Sequence, residues 1–183
     1  MNAVQPISDA QIIQAFAQKA TQHKAFEWLL NTYQQKTYWH IRRMVINHDD
    51  ADDVLQNTMI KVWENLHQFK GEAKLYTWIY RIATNEALNH LNKQKQHQNI
   101  EDTSPELMNH LTTTGYFNGN NAVLKLQQAI LTLPEKQRVV FNLKYFDNMK
   151  YEEMSEVLET SVGALKASYH HAVKKIEDYL AKH

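Results

Sequence analysis

The stretch SVGALKASYHHAVKK, residues 161–175, carries small and polar side chains at helical spacing. On a helical wheel Val162, Leu165, Tyr169, Ala172, Ile176 and Leu180 point one way. Gly163, Lys166, Ala167, His170 and Lys174 point the other. The second face is smooth near its N-terminal end and polar further on, the shape with which a helix enters a major groove. Lys166 and Lys174 suit phosphates or a guanine edge, and Ala167 suits contact with a thymine methyl. His170 and the adjacent His171 donate or accept hydrogen bonds but bring no fixed charge, so the face is expected to bind weakly alone. An amphipathic helix with a solvated face fits the same pattern.

A second group of chemistry-bearing residues lies in LYTWIYRIATNEALNHL, where Tyr76, Trp78 and Tyr80 fall within five residues, beside Arg81 and Asn85. Alternate positions on a helix cannot all face one core. Trp78 falls with Ile79 and Ile82 and reads as core, while Thr77, Tyr80, Arg81 and Thr84 fall on other sides. Exposed aromatics beside an arginine suit stacking on unpaired bases. Packing in a core fits each ring equally well. On the preceding segment, DADDVLQNTMIKVWENL, the residues Asp52, Asp53, Gln56, Asn57 and Lys61 run along one outer side. That side suits either plain solvation or a partner.

Other chemistry is missing from the sequence. There is no HExxH, and His170 and His171 are neighbours that point about 100° apart, which disfavours a bidentate metal site. NHDDADD lacks the central glycine and closing glutamate of a calcium loop. With four glycines in the chain there is no phosphate loop or dinucleotide fingerprint, and the serines lie in helical or capping contexts. No cofactor or metal is expected, and the reading is against an enzyme.

The elements that must position these residues are helices. Four glycines and three prolines are too few for the tight turns of a sheet fold. Ser8 and Gln11 form a capping-box pattern ahead of Ile12, Ile13 and Phe16. A second helix carries Phe26, Leu29, Leu30, Tyr33, Ile41, Met44 and Val45, and a third carries Val54, Leu55, Met59, Val62, Trp63 and Leu66. Asp50 is expected to cap the third. A loop around Gly71 leads to the fourth helix, from Leu75.

Residues 96–121 are rich in Asn, Gln and Thr, hold no Lys or Arg, and read as a linker with a short helix around Glu106–Leu111. Periodicity then resumes at Val123, Leu126, Ile130 and Leu133. Pro134 is expected at the first position of the next helix. YEEMSEVL, the turn ETS and a final helix over Val162–Leu180 form a helix-turn-helix pattern. Glu159 stands where glycine is common, so it must bear a positive φ or use another turn. The fold class is all-α. Two small helical domains, 8–95 and 122–183, are expected on either side of the linker 96–121.

The formal net charge is +0. Autonomous DNA-binding domains are usually strongly basic, because phosphate neutralisation supplies much of their affinity. A neutral chain is better suited to being carried to DNA by a partner. The absence of cysteine fits a reducing compartment, and no apolar run approaches about 18 residues, so a cytoplasmic protein without a targeting segment is expected.

Two blocks resemble the extracytoplasmic-function group of bacterial RNA polymerase sigma factors. DADDVLQNTMIKVWENLHQFKGEAKLYTWIYRIATNEALNHLNK resembles the family's second region, and LTLPEKQRVVFNLKYFDNMKYEEMSEVLETSVGALKASYHHAVKKI its fourth. The resemblance implies that Asp53, Gln56 and Asn57 contact the clamp helices of the polymerase's largest subunit. It implies that Phe69, Lys74, Tyr76, Arg81 and Asn85 hold the non-template strand of the −10 element, with Asn85 at a position that reads a flipped base. Lys166, Ala167, His170, His171 and Lys174 would read the −35 element, and the same domain would rest on the flap of the second-largest subunit. An anti-sigma factor is a further partner the family suggests. Two readings compete: a helix-turn-helix regulator that binds duplex DNA without polymerase, and an all-helical adaptor.

Overall fold

The computed structural model describes residues 7–98, 104–113 and 121–183. Among them the regular structure is helical. In order it comprises α1 (Asp9–Phe16), α2 (Gln22–Val45), α3 (His48–Asn65), a single 3-10 turn at Leu66–Gln68, α4 (Leu75–Gln98), α5 (Ser104–Thr113), α6 (Asn121–Leu131), α7 (Glu135–Tyr145), α8 (Tyr151–Leu158) and α9 (Val162–Lys182).

Helix starts follow local hydrogen-bond chemistry. Ser8 accepts from the Gln11 N–H while the Gln11 side chain accepts from the Ser8 N–H, a complete capping box. Ser161 accepts from the Ala164 N–H and starts α9. Two expected starts shift. The cap of α3 is Asn47, whose side chain accepts from the Asp49 and Asp50 N–H groups, so Asp50 lies inside the first turn. Pro134 is itself the cap of α7, with extended ψ of 141°, and the helix begins at Glu135.

Helices α2, α3 and α4 pack on one another, and α1 lies across α2. The buried row of α4 is Ile79, Ala83, Ala87 and Leu91, spaced by four and each no more than 1% exposed. Small alanines in that row let neighbouring helices approach closely. Leu29, Ile41, Val45, Val54 and Val62 fill the space opposite. Each such side chain contributes roughly 1.5–3 kcal/mol of burial.

In the C-terminal part, α6, α7 and α9 enclose Ala129, Ile130, Leu133, Phe141, Ala172 and Ile176. Phe141 stacks on Tyr169 with ring centroids 5.8 Å apart. The turn between α8 and α9 is tight because Glu159 adopts the left-handed conformation, φ 50°. A side chain in that region is uncommon, since its Cβ crowds the following carbonyl.

The two parts share a core. Leu131, Val139, Val140, Leu143, Met149, Met154, Val157 and Leu165 belong to the same buried cluster as the residues of α1–α4. Helix α8 packs on α4, and α7 on α2. This contact corrects one expectation for α4. Thr77, Tyr80 and Thr84 are 1%, 5% and 0% exposed, so Tyr80 is not available for stacking on bases. Trp78, read as core, is only half-buried. Between the parts, α5 buries Leu107 and Leu111 and packs on α6.

Candidate nucleic-acid and partner interfaces

Asp53, Gln56 and Asn57 are exposed on α3. Asp53 and Gln56 border a groove of about 580 Å³ between α2 and α3, floored by Phe26, Leu30, Leu55, Met59 and Trp63. Ile60, one turn beyond Gln56, is 49% exposed at its edge. An isolated exposed Ile needs no explanation, but one beside an apolar groove with a polar rim has the make-up of a docking site. The sequence reading named the polar rim and missed Ile60. Its spacing of four from Gln56 and three from Asn57 was the available signal.

The five residues expected around the loop and α4 divide into two groups. Phe69 packs against Trp78 with centroids 5.4 Å apart. Beside them is a cleft of about 310 Å³ lined by Lys61, Asn65, Gln68, Trp78 and Ile82. Asn85 is exposed one helical turn beyond Ile82, on the same side of α4. An aromatic wall, amide groups and a lysine are the features that hold an unstacked base by its face and edge. Lys61, Asn65 and Gln68 were not singled out from sequence for this side, because they come from α3 and the turn after it.

Lys74, Tyr76 and Arg81 form the second group, which meets α8. Lys74 Nζ lies 2.8 Å from Glu153 Oε1, and Arg81 pairs with Glu159. Burial, and then a hydrogen bond to Glu153, pushes the Tyr76 hydroxyl above its ordinary range. Burial would raise the Glu153 carboxyl, but hydrogen bonds from Lys74, Tyr76 and the Lys150 N–H together hold it below its usual value. The hydrogen bond to Glu153 raises Lys74 in turn.

On α9, Lys166, Ala167, His170, His171 and Lys174 are all exposed along one side. Gly163 belongs to the same surface. A Cβ built there would meet nothing within 4 Å, and its φ is ordinary. Among the described residues the fold therefore makes no steric demand for glycine at this position. Lys166 Nζ lies 5.7 Å from the centre of the Tyr151 ring. His170 and His171 have ring centroids 6.0 Å apart.

Among the described residues no group of three His, Asp or Glu side chains is placed to hold a metal ion. No described helix is long and apolar enough to cross a membrane.

Comparison with known proteins is consistent along the chain. Residues 29–97 match the family model for Sigma-70 region 2. Residues 124–176 match that for Sigma-70, region 4. The chain is 30% identical over 173 residues to the RNA polymerase sigma-H factor of Pseudomonas aeruginosa, covering 86% of each protein. It is 32% identical over 157 residues to the ECF RNA polymerase sigma factor SigW of Bacillus subtilis, covering 80% of this chain and 83% of that one. Against the ECF RNA polymerase sigma-E factor of Escherichia coli K12 the identity is 30% over 178 residues, 92% of each. Two solved structures share the fold. One is the sigma factor RpoE with the anti-sigma factor NepR from Bartonella quintana, with TM-score 0.68, 19% identity, and coverage of 86% of this chain and 98% of that one. The other is CnrH with the cytosolic domain of CnrY, with TM-score 0.70, 21% identity, and coverage of 95% and 97%.

Proposed function

The chain belongs to the extracytoplasmic-function group of the sigma-70 family, and from that premise we propose which of its residues do the work of a sigma factor. Such a factor binds core RNA polymerase, directs it to promoters through the −10 and −35 elements, and takes part in strand opening and initiation. We divide the chain into a polymerase- and −10-binding domain, 8–95, a linker, 96–121, and a −35-binding domain, 122–183.

Asp53, Gln56 and Asn57, with Ile60 and the groove beside it, receive the clamp helices of the largest subunit. The apolar floor supplies burial and the polar rim sets register. Phe69, Trp78 and Asn85 hold a base taken out of the stack. Extrusion costs a few kcal/mol, which contacts in the cleft must offset. Lys74, Tyr76 and Arg81 grip the same non-template strand of the −10 element. Lys166, Ala167, His170, His171 and Lys174 face the −35 duplex, and the C-terminal domain sits on the flap of the second-largest subunit. The protein works by placing and holding, without catalysis of its own, in the cytoplasm. An anti-sigma factor is a fitting regulator.

The observation that carries this reading is the exposed face of α9, where Lys166, Ala167, His170, His171 and Lys174 lie along one side and a Cβ at Gly163 would meet nothing within 4 Å among the described residues. A neutral net charge agrees with it, because the polymerase provides the non-specific electrostatic hold. The test is capture of core polymerase by the tagged protein, followed by transcription from a promoter library. Failure to capture core ends the proposal. Tight, steeply salt-dependent binding of duplex DNA without polymerase would favour the helix-turn-helix regulator instead.

A further inference from the structure

Three histidines of this chain face a carboxylate: His40 meets Asp147, His48 meets Asp52 and His90 meets Asp50. His170 and His171 differ. Both are exposed on α9, and the nearest ring to each is the other's, with centroids 6.0 Å apart. No described carboxylate lies within ion-pair distance of either ring.

The surroundings account for the difference. Residues 160–176 hold no Asp or Glu. Glu177 and Asp178 follow about two turns on, roughly 10 Å along the axis. Lys166 and Lys174 stand one turn to either side of His170, and Lys175 one turn beyond His171. Helices α6, α7 and α8 pack on α9. From α8 comes the Tyr151 ring, with Lys166 and Lys144 of α7 over it. The acids of α8 have other neighbours: Glu153 and Glu156 lie by Lys74 and Tyr76, and Glu159 pairs with Arg81. Glu152 is exposed at the start of that helix. From α7, Gln137 bonds Lys175 at 3.1 Å, while Glu135 pairs with Lys95 of α4. Lys125 of α6 bonds the His183 carbonyl at the far end of α9.

A duplex supplies the anion that this face lacks, at one phosphate charge for about every 1.7 Å of its axis. An opposite charge within about 4–6 Å favours the charged form of an imidazole. A charged imidazole donates from both nitrogens. It then matches phosphate oxygens or the N7 and O6 acceptors of guanine. The fixed cations of residues 161–175 are Lys166, Lys174 and Lys175 alone, so two more charges are a large fraction of the total.

We propose that recognition of the −35 element by this chain is proton-linked: His170 and His171 take protons from solvent as α9 enters the groove, and promoter binding tightens from about pH 8 to about pH 6. The inference rests on the −35 role given to α9. Successive helical residues point about 100° apart, so the two rings reach different groups. His170, in line with Ala167 and Lys174, seeks an acceptor on a base edge, and His171, in line with Lys175, seeks a phosphate. A group more basic in the complex than in the free chain adds its full affinity below its free value. The gain fades as pH rises through the bound one.

The probe is an upstream duplex that ends ahead of the −10 element, cut from a promoter that the chain and core polymerase transcribe. Its affinity for core polymerase carrying the full-length chain is measured from about pH 6 to about pH 8 over a range of salt. Wild type is expected to bind about fivefold or more tightly at the acid end. Its slope of log affinity against log salt is expected to steepen there by about one unit, the signature of one new phosphate contact. His170→Gln/His171→Gln keeps neutral hydrogen-bonding side chains at two exposed positions and is expected to lose both effects. His170→Arg/His171→Arg carries fixed charge and is expected to bind tightly across the range. Titration of polymerase itself is common to all three. Equal pH responses in wild type and the Gln variant overturn the linkage, and so does a gain with no change in slope. Lys166→Ala separates this outcome from failure of the underlying reading. Unchanged affinity in that variant at every pH would take α9 off the −35 duplex and overturn the proposed function there.

Discussion

Asn85 is the residue on which the proposed strand opening turns. It is exposed, lies on the Trp78–Ile82 side of α4, and has a side chain able to donate and accept at a base edge. Asn85→Ala is expected to lower open-complex formation roughly tenfold, the effect of leaving one buried edge unpaired. Core binding should be unchanged, and equal loss of both would mean that Asn85 holds structure. Ser161 tests a different matter, the seating of the recognition helix. Its hydroxyl satisfies the Ala164 N–H, and Ser161→Ala is expected to cost about 1 kcal/mol in urea unfolding. Asn85 came from the family resemblance, whereas the Ser161 cap was legible in the sequence, because capping depends on neighbours within a turn. Tyr80 was not. Its cover includes the segment around Asp147, far away in the chain, and no helical wheel contains that partner. Asn47 was passed over for Asp50 because both are good caps, and only the entry angle from α2 decides between them. That angle is set by Ile46, which takes φ 61° although it is β-branched and only 2% exposed.

At the scale of elements, α3 has two duties. Its inner face carries Val54, Thr58 and Val62 into the core, and its outer face offers Gln56, Asn57 and Ile60. An Ile60→Asp change therefore leaves the core untouched. It is expected to shift stability by less than about 0.5 kcal/mol while weakening core-polymerase capture at least about tenfold. Unchanged capture would move the docking site off this groove. The start of α3 is tied to the C-terminal half of α4 by Asp50 and His90, 3.4 Å apart. The bond to Asp50 raises His90 above its ordinary value, against the effect of burial. The bond to His90 lowers Asp50 below its own, again against burial. For His90 the stability is complete below about pH 6.5 and is lost as pH rises through the raised value. For Asp50 it is present above about pH 4 and is lost as pH falls through the lowered one. The latch is thus strongest between about pH 4 and 6.5. His90→Gln should lower the melting temperature more at pH 6 than at pH 8, by an amount worth about 1 kcal/mol or less for so exposed a pair. An equal effect at both pH values would show that the ring only packs.

For the whole molecule the question is whether two domains behave as one. The α6–α9 part has its own small cluster around Ile130, Phe141 and Ile176. At roughly 60 residues such a domain is marginal by itself, and it gains from the core it shares with α1–α4. The joint depends on Asp147, whose side chain is 7% exposed beneath His40 at 0% and Arg43 at 15%. Removing one member of a buried charged group typically costs about 3–5 kcal/mol, because the partners stay desolvated without compensation. In this protein the Arg43 guanidinium has an escape, since parting the two domains returns it to water. Asp147→Ala is therefore expected to uncouple the domains rather than unfold them together. Calorimetry should give one transition for the wild type and two for the variant, with the α6–α9 part melting first. A single transition in the variant, displaced downward by the full cost of the broken group, would mean that the parts are one obligate folding unit.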